Sequence, residues 1–200
     1  MIGEVLYTKF KGQRKYVSAS TVVTEFTSVY ESSSGVVDPD FVFEFLAPIA
    51  GPLAVASDNN DGMAAIKIQC GPSDQRSLYF LRETEGELAS FDPPTTLQNS
   101  TIGDRSIEFD STATEVGEIL SDAVSLMKAR ALDHDPDCHW VVRKISFSLP
   151  MSFSNSYVLS LKRFKLKTAV WELSSKSSQQ SLAIITTIDI PADMYSDLDF

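Results

Sequence analysis

Phe41-Val42-Phe43-Glu44-Phe45-Leu46 places an aromatic ring at every second position. Successive side chains of an extended chain point to opposite faces, so this stretch presents its rings to one side and mixes polar and apolar groups on the other. A period of two marks a strand. The surrounding sequence has the same character. Over the first 91 residues β-branched and aromatic residues dominate and no long stretch keeps a helical period. Strands are expected at 4–10, 16–30, 41–47, 53–57, 63–70, 77–83 and 86–91. Asp61-Gly62 and Gly71-Pro72-Ser73-Asp74 separate apolar runs, and both suit hairpins, because Gly accepts positive φ and Asp bonds its local backbone. Consecutive strands are therefore expected to be antiparallel.

The segment 92–104 carries paired prolines and turn formers with little apolar content, which predicts a surface loop. Beyond it Val116, Ile119, Leu120, Ala123, Val124, Met127 and Ala131 follow the 3.6-residue period of an amphipathic helix, with Thr112 and Glu115 as a capping box. Pro136 ends the helix, and strands resume at 140–149, 156–173 and 181–190. The expected fold is mainly β, an antiparallel sandwich or barrel with one amphipathic helix packed on one side. A single β-rich domain over 1–191 would precede an acidic tail at 192–200.

Hydrophobic residues at 43% and charged residues at 22% of 200 residues support a packed core and exclude a disordered chain. No apolar run reaches the roughly 20 residues that span a bilayer, and the N-terminal charges follow the apolar stretch, opposite to a signal peptide. An intracellular, cytoplasmic or virion location is expected. Cys70 and Cys138 then read as two reduced thiols, and Asn99-Ser100-Thr101 as a silent sequon.

Asp133, His134, Asp135, Asp137, Cys138 and His139 crowd directly after the helix and invite a metal. Asp133, Asp135 and Asp137 match the first ligands of an EF-hand loop, but Cys138 replaces its glycine and Lys144 its closing glutamate. For zinc, adjacent Cys138 and His139 point apart in an extended chain and no second Cys/His pair completes a tetrahedron. The two histidines of the chain both lie here, and no nucleophile elbow, P-loop or dinucleotide fingerprint accompanies them. Glu83, Glu85 and Glu87 read as a solvated charged turn. No catalytic residue, metal or cofactor is expected.

The net charge is −10, yet the segment from Trp140 to Lys176 carries seven basic residues against Glu172 alone. Within Leu161–Trp171, Arg163, Lys165 and Lys167 are expected on one strand face and Phe164, Leu166 and Val170 on the core face. That row, with Arg143 and Lys144, suits an anionic membrane or nucleic acid, and Arg143 joins it only if the two strands are neighbours. Pro93 and Pro94, and the Tyr-x-x-apolar pattern of Tyr195 and Leu198, suit a protein partner. The acidic tail suits self-association against a basic cluster. The resulting expectation is a non-enzymatic structural or assembly protein of coat, matrix or movement type, by analogy of fold. The alternative is an adaptor that binds a peptide or host factor.

Overall fold

The computed structural model describes residues 2–11, 17–59, 62–92, 95–135, 137 and 139–190. Its contacts divide into two units, one of Met1–Pro94 with Ser146–Pro150 and the other of Thr95–Ile145 with Met151–Phe200. The first contains β1 (Val5–Leu6), β2 (Phe10–Lys11), α1 (Ala19–Ser34), β3 (Asp40–Phe45), β4 (Leu53–Ala56), β5 (Ala64–Gly71), β6 (Ser77–Glu83) and β7 (Ser90–Phe91). Its main sheet runs β1-β4-β6-β5-β3, and β2 pairs separately with β7. Phe41, Phe43 and Phe45 on β3 are buried, as their alternation requires. The hairpin from β5 to β6 turns at Gly71, where φ is +130° and an added Cβ would lie 2.8 Å from the Gln75 carbonyl oxygen. Asp61, of the other expected hairpin, lies outside the described residues.

The strand expected at 16–30 is a helix. Ser18 caps α1 by accepting the Thr21 N–H at 3.3 Å, and Gly35 ends it in the left-handed conformation at φ 63°. Its threonines satisfy themselves locally, as where Thr27 Oγ1 donates to the Val23 carbonyl at 2.8 Å. Val22, Val23, Phe26 and Tyr30 form one buried face. Phe26 meets Phe43 edge-on at 5.7 Å, and Tyr30 meets Phe41 at 5.3 Å. Tertiary ring packing overrides the β propensity of this segment.

The second unit contains β8 (Leu97–Ile102), β9 (Ser106–Ser111), α2 (Val116–His134), β10 (His139–Ser148), β11 (Ser156–Lys165), β12 (Thr168–Ser175) and β13 (Ser181–Ile190). The end of β10 from Ser146 belongs to the first unit. The order here is β10-β13-β12-β11-β9-β8. The expected loop at 92–104 therefore contains a strand. β8 is the edge of its sheet and almost wholly exposed, so it needs little apolar content. The long strand expected at 156–173 is a hairpin. Lys165 pairs with Thr168, and Leu166 and Lys167 between them take φ of 49° and 62°, a two-residue turn with both centres left-handed.

α2 buries Val116, Ile119, Leu120, Ala123 and Met127 from the expected stripe. The capping box does not form. Glu115 occupies the cap position with no side-chain bond, while Thr114 N–H donates to Glu118 Oε2 at 2.9 Å. The buried Asp122 instead ties the helix down: Ser111 donates to its carboxylate at 2.6 Å and Thr96 at 2.8 Å. The chain is thus mainly β and antiparallel with an amphipathic helix against the sheet, as expected, and α1 is the addition. A further regularity emerges. In each unit a strand that precedes the helix and the strand that follows it flank three later strands, as β1 and β3 flank β4, β6 and β5, and as β9 and β10 flank β11, β12 and β13, the inner three standing in chain order only in the second.

Candidate functional site

On β13, Ala183, Ile185, Thr187 and Asp189 share one face by the period of two. The ladder to β12 sets Trp171 opposite Ile185 and Ala169 opposite Thr187. A register shift on β11 between Leu161 and Arg163 changes the parity, so Leu161 and Phe164 both pair with residues of that face, Trp171 and Ala169. Trp140 and Val142 of β10 complete the floor. Above it α2 presents Val124, Met127, Lys128 and Ala131, residues spaced three and four apart, and Asp135 follows the helix. Between floor and helix lies a cavity of about 380 Å³ within the second unit. Its size suits a small organic ligand.

Its walls are mainly apolar and aromatic, so the polar groups in them stand out. Asp189 Oδ1 accepts the backbone N–H of His139 at 3.0 Å, and Oδ2 lies 3.8 Å from Lys167 Nζ. The Asp189 N–H also donates to the Lys167 carbonyl at 2.8 Å, so the turn and the carboxylate are joined twice. Arg130 stands 5.5 Å over the Trp171 ring. Its Nε donates to the Gly103 carbonyl at 3.1 Å and its Nη2 to the Asp104 carbonyl, which holds the guanidinium in place. Thr187 is 3% exposed, and its hydroxyl has no hydrogen-bond partner among the described residues. A carboxylate held at the rim of an apolar cavity can take up and return a proton, and a buried hydroxyl can orient a ligand oxygen.

Arg163 and Lys165 are exposed, at alternate positions to Phe164 and so away from the cavity. Lys167 lies in the turn beside Asp189. Lys162 is ion-paired with Glu172. Phe164 and Leu166, expected in the core, are 62% and 86% exposed, because the turn carries them to the hairpin tip. Arg143 and Lys144 are on β10, separated from β11 by β13 and β12, so the condition for Arg143 to join the row is not met. Pro93, Pro94, Cys138, Tyr195, Leu198 and the acidic tail lie outside the described residues. In the expected ligand cluster, Asp135 Oδ1 accepts the Asp137 N–H at 3.1 Å, closing a local turn. No group of three or more His, Cys, Asp or Glu suited to a metal occurs among the described residues. Nor is any helix among them long and apolar enough to cross a membrane.

Sequence reasoning missed Thr187 and Asp189. The signal was there in the parity of β13, where two polar residues continue the line of Ala183 and Ile185.

No family model matches the chain, and no curated protein matches its sequence. Solved structures do resemble it in fold. The dehydratase domain of RzxB from Pseudomonas fluorescens aligns over 91% of this chain and 92% of its own, with TM-score 0.53 and 9% identity. A trans-acyltransferase polyketide synthase enoyl-isomerase aligns over 94% and 98%, with TM-score 0.54 and 9% identity. The dehydratase domain from the CurK module of curacin polyketide synthase aligns over 90% and 85%, with TM-score 0.52 and 9% identity. The chain thus has a hot-dog-like fold. This overturns the expectation of a non-enzymatic structural protein. The analogy to virion components and self-assembling coats rested on a generic β scaffold, whereas this scaffold is one that enzyme domains carry. The adaptor alternative, which rested on Pro93, Pro94 and the tail pattern of Tyr195 and Leu198, gives way to the same finding.

Proposed function

We propose that the second unit is an enzyme that holds the acyl part of its substrate in the cavity and moves a proton on it, in a dehydration or a double-bond isomerisation. The observation that carries this reading is the Asp189 carboxylate set against an apolar, aromatic-walled cavity. The substrate class comes from the names of the dehydratase and enoyl-isomerase domains that share the fold. Asp189 takes the proton from the carbon next to the substrate carbonyl, and the C–H electron pair passes into an enolate. In isomerisation the new carboxylic acid returns that proton at the γ carbon of a 3-enoyl chain, which leaves as the conjugated 2-enoyl isomer. In dehydration it gives the proton to a departing β-hydroxyl, which leaves as water while the double bond forms. Either way Asp189 ends as it began. The His139 N–H and Lys167 fix the carboxylate's direction, and the apolar walls keep bulk water from the enolate. An intracellular place of action goes with this reading, in keeping with Cys70 as a buried free thiol.

The test uses short 3-hydroxyacyl and enoyl thioesters of N-acetylcysteamine with the full chain. Turnover is read from the conjugated enoyl absorbance, and proton removal from deuterium uptake at the α carbon. Asp189→Asn should lower both rates by about 10²–10⁴. Absence of exchange and turnover in the wild type, or an unchanged rate in Asp189→Asn, would overturn the proposal.

A further inference from the structure

We infer that Thr187 binds the carbonyl oxygen of the ligand and so decides which part of an acyl chain Asp189 faces; this rests on the proposed function and names a binding residue for it. Thr187 is 3% exposed and lines the cavity, and its hydroxyl oxygen is buried and unpartnered among the described residues. Buried hydroxyls seldom go without a partner, because desolvation without a hydrogen bond is unfavourable. Its neighbours in the wall are apolar: Ala169 stands opposite it in the ladder, and Ile185 precedes it on the same strand face. An acceptor brought in by a ligand would satisfy it.

The spacing to Asp189 selects the acceptor. Two residues along an antiparallel strand advance about 7 Å with both side chains on one face. An O–H···O bond of about 2.7 Å to a carbonyl oxygen comes first, then the C=O and adjacent C–C bonds of about 1.2 and 1.5 Å. An approach of about 3–3.5 Å to the α carbon completes the path, which over its bends also covers about 7 Å. Thr187 and Asp189 therefore suit a carbonyl group and its own α carbon. A polar group several carbons further along the chain would leave one of the two unused. Negative charge developing on that oxygen would strengthen the Thr187 hydrogen bond as the proton leaves.

The experiment compares two ligands that differ only in the carbonyl: a butyryl thioester of N-acetylcysteamine and the matching butyl thioether. Binding is measured by calorimetry to the wild type, Thr187→Val and Thr187→Ser. The wild type should bind the thioester about tenfold more tightly than the thioether, the scale of one hydrogen bond. Thr187→Val should bind both alike, with thioether affinity unchanged, and Thr187→Ser should restore the preference. A wild type that binds both ligands equally overturns the role of Thr187 while leaving the cavity reading intact. A preference that persists in Thr187→Val does the same. A wild type that binds neither overturns the proposed function itself. Thr187→Ala supplies the hydroxyl-free comparison should Thr187→Val fail to fold.

Discussion

Asp40 shows how a single side chain can make stability depend on pH. Ser148 donates to its Oδ1 at 2.6 Å, while Ser73 at 2.7 Å and Arg76 at 2.6 Å donate to Oδ2. These donors favour the charged form, and they lower its pKa from 3.8 to about 2. A carboxyl depressed in the folded state stabilises fully above its unfolded pKa, and that contribution fades as pH falls from about 4 through about 2. Allowing for its partial exposure, Asp40→Asn should cost about 1 kcal/mol at pH 7 and almost nothing near pH 2, measured by urea unfolding across that range. Burial pushes the Cys70 thiol the other way, up to about 12, which leaves it protonated and unreactive. In a Cys138→Ala background a thiol reagent should therefore find no cysteine in the native protein and one after unfolding. At this scale the sequence was least informative about the site. Thr187 and Asp189 resemble ordinary strand residues until the register places them beside Ala169 and Lys167.

Among the elements, the turn between β11 and β12 departs furthest from local preference. Leucine and lysine at positive φ each cost about 1–2 kcal/mol against residues that favour that region. Leu166 is 86% exposed and has little burial to lose. Leu166→Asn should therefore raise stability by about 0.5–1 kcal/mol, measured by thermal unfolding. A smaller effect on Lys167 would follow from its link to Asp189. The turn was illegible because neither residue is a turn former, and the basic residues on both sides read as one continuous strand. α1 was misread for the opposite reason. Its valines, threonines and rings carry strand propensity, while the true signals were Ser18, Gly35 and the buried spacing of Val22, Val23, Phe26 and Tyr30. Phe26 is fully buried against Phe43 and Tyr79, so Phe26→Ala should cost about 3–5 kcal/mol.

Across the whole molecule, the mainly β character and most strands were legible because alternation and turn chemistry act locally. The order of strands was not legible, since pairing between distant segments leaves no trace in either one alone. Function was misread at this same level: a generic β scaffold carries no activity, and only the packing of α2 over β10–β13 creates the cavity. The two units predict two separate sets of slowly exchanging amides, one centred on β3 and β5 and the other on β12 and β13, measurable by hydrogen exchange. The units share a flanking plan, with a strand before and a strand after the helix on either side of three later strands, though the inner order differs. They differ in what fills them. In the first, Phe26, Phe41 and Phe43 occupy the space between helix and sheet. In the second the space between helix and sheet is open, so a side chain that adds bulk toward it has room there and none among the rings of the first.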